Sequence, residues 1–289
     1  MSQPAGAAPG YRTGRTLTVR AEWRRQAGRR RTQLTLGFMV ALPLIVLIAF
    51  QVGGGDEDGS PPGGGRLASL VDLATTGGLN FTLFTVFVSA GFLLVVVVAL
   101  FFGDPVASEA SWGSLRYLLA APVPRARLLT AKLVVAAGYS GLAMLTLAGT
   151  ALLVGTLRYG WHPLRSTVAA ELAPADGLIR ILLVLGYLAV GLLVVAGLAF
   201  LLSVSTDAPL GAVGGAVLLY ILSSILDQIT ALGTLRTLLP THFSNAWLGL
   251  LSTPMQLDDP AKGTISALGY ATGFWVLAWW RFLRRDIVS

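Results

Sequence analysis

The chain has 289 residues, 54% of them hydrophobic and 12% charged, with a mean hydropathy of +0.72, whereas a soluble domain carries about 25% charged residues. Too few charges are present to cover a water-facing surface, and the length suits one bundle of about six membrane helices. The net charge of +7 does not point to nucleic acid, because the arginines gather at the N-terminus and beside apolar runs, as topology signals do. With no cysteine and only two histidines, His162 and His242, the chain has no disulfide, thiolate metal site or cysteine nucleophile, and no His-rich metal centre is expected.

Residues 1–14 are small and polar and read as a disordered tail. Residues 15–33 hold Arg15, Arg20, Arg24, Arg25, Arg29, Arg30 and Arg31 among Leu17, Ala21, Trp23 and Ala27, without proline. This suits either a basic helix lying in the membrane interface or a solvated basic tail. Apolar stretches follow at about 34–51, 81–102, 129–156, 179–204, 209–230 and 264–283, each near the roughly 20 residues a bilayer span needs. The expected fold is an all-α polytopic membrane protein: a cytoplasmic tail and interfacial helix over 1–33, then a six-helix domain over 34–285. The first stretch has a basic flank, and Arg29–Arg31 faintly resembles a twin-arginine signal, but no A-x-A-type site follows. Segment 52–66, rich in glycine with Asp56, Glu57, Asp58, Pro61 and Pro62, reads as an external spacer. Pro209 separates the fourth and fifth stretches into antiparallel spans.

An inside N-terminus puts eight tail arginines, then Arg116, Arg125, Arg127 and Lys132, then Arg281, Arg284 and Arg285 on the inner side, 15 of the 21 basic residues. Arg66, Arg158, Arg165, Arg180, Arg236 and Lys262 make the 6 outside. The bias predicts an even number of spans with both termini cytoplasmic. Tyr159 and Trp161 outside, and Trp279 and Trp280 inside, fit as interfacial anchors.

Several chemistries lack their residues. Lys132 and Lys262 each follow alanine, so there is no P-loop and no ATPase site. Neither H-E-x-x-H nor G-x-S-x-G occurs. No catalytic or metal-binding residue is expected. Asp227, beside Gln228 near the outer end of the fifth stretch, reads as an ordinary helix-end residue or as a participant in substrate passage. Gly211 and Gly215 form a G-x-x-x-G with Gly214 between them, and Gly186, Gly191 and Gly197 lie in the fourth stretch. These suit close helix contacts within the chain or a dimer seam.

The most informative segment is 104–126. Asp104 is placed to cap a helix that Pro105 opens and that Pro122 and Pro124 stop near Ala120. Trp112, Leu115 and Leu119 share one face, and Glu109, Gly113 and Arg116 another. Such a cytoplasmic helix serves either as a plain interfacial helix or as a docking element for a partner.

Glu109, Gly113-Ser114-Leu115, Leu118-Leu119, Pro122, Arg125 and Lys132 together resemble the pattern of the ABC-2 type permeases, membrane subunits of bacterial ABC exporters. The basic N-terminal helix with Glu22, Trp23 and Arg24 is similar to that family's interfacial helix. The ending Phe282-Leu283-Arg284-Arg285-Asp286-Ile287 is similar to its usual close. The resemblance implies a coupling helix within 104–126, with Glu109, Trp112, Gly113, Arg116 and Arg125 at the contact with a separate ABC ATPase. ATP and magnesium would bind that partner, leaving this chain without a cofactor. It also implies a second permease subunit, as homodimer or heterodimer, a bacterial plasma membrane location among lipid, and a short broken helical segment outside, which residues 232–260 can supply. Export follows from the same resemblance, while the apolar spans favour a hydrophobic or amphipathic substrate. The rival readings are a non-transport membrane module working with an ATPase, an intramembrane enzyme, and a secondary transporter. The last two lack the ionisable groups within spans that their chemistry needs.

Overall fold

The computed structural model describes residues 18–53, 65–111, 125–166 and 169–284. Trp112, Gly113, Arg116 and most of the external spacer fall outside the described residues, as does the chain's end from Arg285.

Helix α1 (Val19–Ala27) is capped by Thr18, whose hydroxyl accepts from the Ala21 N–H. A sharp turn at Gly28 leads into α2 (Arg30–Gly53), which contains Pro43. Helix α3 (Gly65–Ala74) precedes α4 (Gly78–Ala90) and α5 (Leu93–Gly103). A short helix, α6 (Ala107–Ser111), comes before the long α7 (Arg125–Tyr159). Strands β1 (Leu164–Ser166) and β2 (Ala169–Leu172) form a small antiparallel hairpin, an addition to the all-helical expectation. Helices α8 (Pro174–Ser205) and α9 (Pro209–Gln228) both begin at proline. Two 3₁₀ segments, Thr230–Leu238 and Ala246–Leu251, precede α10 (Asp258–Arg284).

Helices α2, α7, α8 and α9 are long and apolar enough to cross a membrane, and α4 with α5 makes a fifth if the bent pair is one span. They mark the chain as a membrane protein. Exposed Leu44, Ile48, Leu145, Leu153, Leu182, Leu218 and Leu222 ring the bundle, as expected where the solvent is hydrocarbon. The sixth stretch forms α10, whose 27 residues span about 40 Å at the helical rise. It falls short of the other helices in hydropathy because Asp258, Asp259 and Lys262 occupy its start and Gly, Thr, Tyr and Trp its middle.

Two helices organise the packing. Helix α8 is the hub for α5, α9 and α10, while α7 carries α1, α2 and α4. Glycines set the closest crossings: a Cβ at Gly78 would meet the backbone of Thr156, and one at Gly197 the ring of Trp275. Gly215 rests on Leu202 of α8, so this half of the G-x-x-x-G serves a contact inside the chain, while Gly214 faces open space.

The second apolar stretch is not one straight helix. Helices α4 and α5 meet at a 56° bend around Gly91 and Phe92. Thr82, Thr85 and Ser89 each donate to the carbonyl four residues back, a pattern that bends helices, and Gly91 supplies no side chain to pack the break.

Candidate functional site

Two regions at opposite ends of the bundle concentrate the polar chemistry. The first lies where α1, the α5–α6 turn and the start of α7 converge. Lys132 Nζ stands 2.7 Å from Glu109 Oε1 and 3.4 Å from Glu22 Oε1. Arg25 Nη1 approaches the same Glu109 oxygen at 2.9 Å. Arg29 reaches Asp104 Oδ2 at 3.1 Å, and Arg31 pairs with the other oxygen of Asp104. Burial, followed by the neighbouring charge of Arg31, pushes the Arg29 guanidinium below its ordinary value, and Asp104 pulls it back up. Three carboxylates thus share four cations in a largely water-excluded corner. Removing Glu109 or Lys132 leaves its buried partner's charge less compensated in a low-dielectric setting.

The surroundings hold this corner in place. Trp23 stacks on Tyr139 of α7 with centroids 4.4 Å apart, and the Tyr139 hydroxyl donates to the Trp23 carbonyl at 3.0 Å. Ser203 Oγ of α8 accepts from the Val106 and Ala107 N–H groups at 3.3 and 3.1 Å, so the root of α6 is also tied to the hub helix.

These positions change one sequence expectation and locate the other site residues. Asp104 does not cap a helix opened by Pro105. It closes α5 in αR geometry, and helical structure resumes at Ala107, because two guanidinium groups hold its carboxylate more strongly than backbone N–H groups would. Glu109 is wholly buried and turned toward Lys132 and Arg25, so among the described residues it braces α1 and α7. Glu22 and Trp23 face inward onto α7 while Arg24 is exposed. Arg125 opens α7. Sequence reasoning counted Lys132 as an inner-side charge and as part of a motif, and missed its pairing. The available signal was a lysine placed inside an apolar run, which demands a counter-charge.

The second region lies at the other end. Asp227 Oδ1 is 2.6 Å from His242 Nδ1 and 3.6 Å from Arg236 Nε. Ser223 and Thr241 hydroxyls lie 2.7 Å apart, and Tyr187 donates to the Phe243 carbonyl at 2.5 Å. Arg180 Nη1 donates to the carbonyls of Leu250 and Ser252. These contacts fasten the 3₁₀ segments over the ends of α8 and α9. Asp227 therefore works as a fastening. It does not line the cavity underneath.

That cavity, partly open to the exterior, has a volume of about 470 Å³. Its floor is the α4–α5 break with Phe87, Gly91 and Phe92, and its walls include Tyr187, Gly191 and Tyr220. Its roof is Pro240, Phe243, Ser244 and Asn245. Irregular backbone at membrane depth is tolerated where it lines such a space. Among the described residues no group of three or more His, Asp or Glu is placed to hold a metal ion.

An ionic corner at one end, a roofed cavity at the other and four to five apolar spans between them define a polytopic helical membrane protein. Residues 69–288 match the family DUF2705, described as a protein of unknown function, and the chain belongs to that family. No curated protein matches it.

Proposed function

We propose that the chain is the membrane-spanning subunit of an ATP-driven ABC transporter of the ABC-2 permease type, exporting a hydrophobic or amphipathic substrate. The observation that carries this reading is the arrangement at residues 104–111: a short helix, Ala107–Ser111, is buried at its start and braced by α1, α7 and α8, at the end opposite the cavity. A helix held this way passes an external push into the bundle, which is what a permease without its own P-loop requires.

In this reading α10 is the sixth span, α1 lies in the cytoplasmic interface, and the segment from Ala107 onward is the coupling helix. Trp112, Gly113, Arg116 and Arg125 meet the ATPase, with Glu109 positioning them from behind. ATP and magnesium bind the partner. Two permease subunits assemble in a bacterial plasma membrane with both termini cytoplasmic, and closure of the ATPase pair turns the spans from inward-open to outward-open.

The test is co-purification with the ATPase encoded beside it, using the wild-type chain and the Trp112→Ala and Arg116→Glu variants. Both variants should lose most of the bound ATPase and of the substrate-stimulated ATP turnover. Unchanged co-purification and turnover in both, or no ATPase bound by the wild type, overturns the proposal.

A further inference from the structure

The lining of the cavity between the α4–α5 break and the 3₁₀ roof restricts what it can hold. Not one Asp, Glu, Lys, Arg or His is among its lining residues. Asp227 and Arg236 lie outside the lining, where they answer each other and His242. A ligand with a net charge would lose its hydration here and find no counter-ion, at a cost far above that of a neutral polar group.

The polar groups are not spread evenly. Ser224 and Gln228 of α9, with Ser244 and Asn245 of the roof, gather at the outer end. They offer hydroxyl and amide groups that both donate and accept. The apolar wall is Phe87, Phe92, Leu94 and Leu192, of which Phe87 and Phe92 also reach the exterior of the bundle, with Trp247 beside Phe87 at 5.7 Å between centroids. Gly91 and Gly191 face open space, with nothing within 4 Å of a Cβ placed at either. Between α4 and α5, carbonyls of the last turn of α4 have no in-helix donor. A volume of about 470 Å³ lies within the range of sites for drug-sized molecules.

We infer that this cavity is a binding site for an uncharged amphiphile, its hydroxyl- or amide-bearing head under residues 240–245 and its apolar body against the α4–α5 break. The inference deepens the transport reading by naming the class of cargo. It is tested without the ATPase, so its failure and the failure of the coupling role are told apart.

The full chain in phosphatidylcholine nanodiscs is exposed to a monoacylglycerol carrying a photoactivatable group in its acyl chain. A lysophosphatidylglycerol with the same chain serves as the anionic comparison. The neutral probe should label peptides containing residues 87–94 and 240–247, and unlabelled monoacylglycerol should compete. Gly191→Leu fills the space without meeting backbone and should reduce that labelling roughly tenfold while leaving thermal stability near wild type. Leu192→Trp serves as a second filling variant should the first misfold. Equal labelling by the anionic probe overturns the inference. So does full labelling in the folded filling variants, or labelling confined to outward positions such as Leu145 and Leu218.

Discussion

Glu109 and Lys132 form an ion pair of 2.7 Å in which both side chains are almost wholly buried. Arg25 touches the same carboxylate oxygen, so Glu109 answers a helix outside the bundle and a helix inside it at once. Replacing one partner of a buried pair costs roughly 3–5 kcal/mol, whereas replacing both with apolar groups of similar size is often close to neutral. Glu109→Ala should therefore lower the thermal unfolding midpoint sharply in detergent, and Glu109→Leu combined with Lys132→Met should recover much of it. Equal midpoints for Glu109→Ala and wild type would remove the pair from the account of stability.

Gly263 and Tyr187 give a sharper steric test. A Cβ at Gly263 would collide with the Tyr187 hydroxyl, which donates to the Phe243 carbonyl. Gly263→Ala should cost about 1–3 kcal/mol through overpacking. Adding Tyr187→Phe removes the colliding oxygen but leaves the Phe243 Cβ at 2.7 Å, so it should restore part of the loss, with Tyr187→Phe alone costing about 1 kcal/mol for its hydrogen bond. Additive losses in the double variant would show that the two positions do not meet.

Asp227 fastens the irregular segment after α9. Asp227→Ala leaves His242 and Arg236 without their acceptor, at a cost of about 1–3 kcal/mol for the orphaned groups. Limited proteolysis should then cut within 229–257 faster than in wild type, with cleavage elsewhere unchanged. A uniform increase along the chain would mean global loosening instead.

Topology can be read directly, because the natural chain contains no cysteine. Single cysteines at Thr237 and Ser289 should behave oppositely toward a maleimide that does not cross membranes: Thr237→Cys labelled from outside, Ser289→Cys only after permeabilisation. Labelling of both from one side would show that α10 does not cross.

The apolar runs that became α2, α7, α8 and α9 were legible because length and hydropathy decide them, and Pro209 marked the turn between the last two. The bend at Gly91 was hidden inside a continuous apolar run, since Thr82, Thr85 and Ser89 look unremarkable until their back-bonding is seen. Asp104 misled for a related reason. Aspartate before proline is a good local cap signal, and nothing local reveals the two arginines, 75 and 73 positions earlier in the chain, that claim its carboxylate. The role of Asp227 depended in the same way on His242, 15 residues away across an irregular segment.

The ionic corner also dictates an order of biosynthesis. Arg25 and Glu22 on α1 find their partners 84 and 110 residues later, at Glu109 and Lys132. A chain made from its N-terminus therefore holds α1 without these partners while α2, α4 and α5 are made. Only when the first turns of α7 have been synthesised can α1 settle, so its docking marks the completion of the first half of the protein.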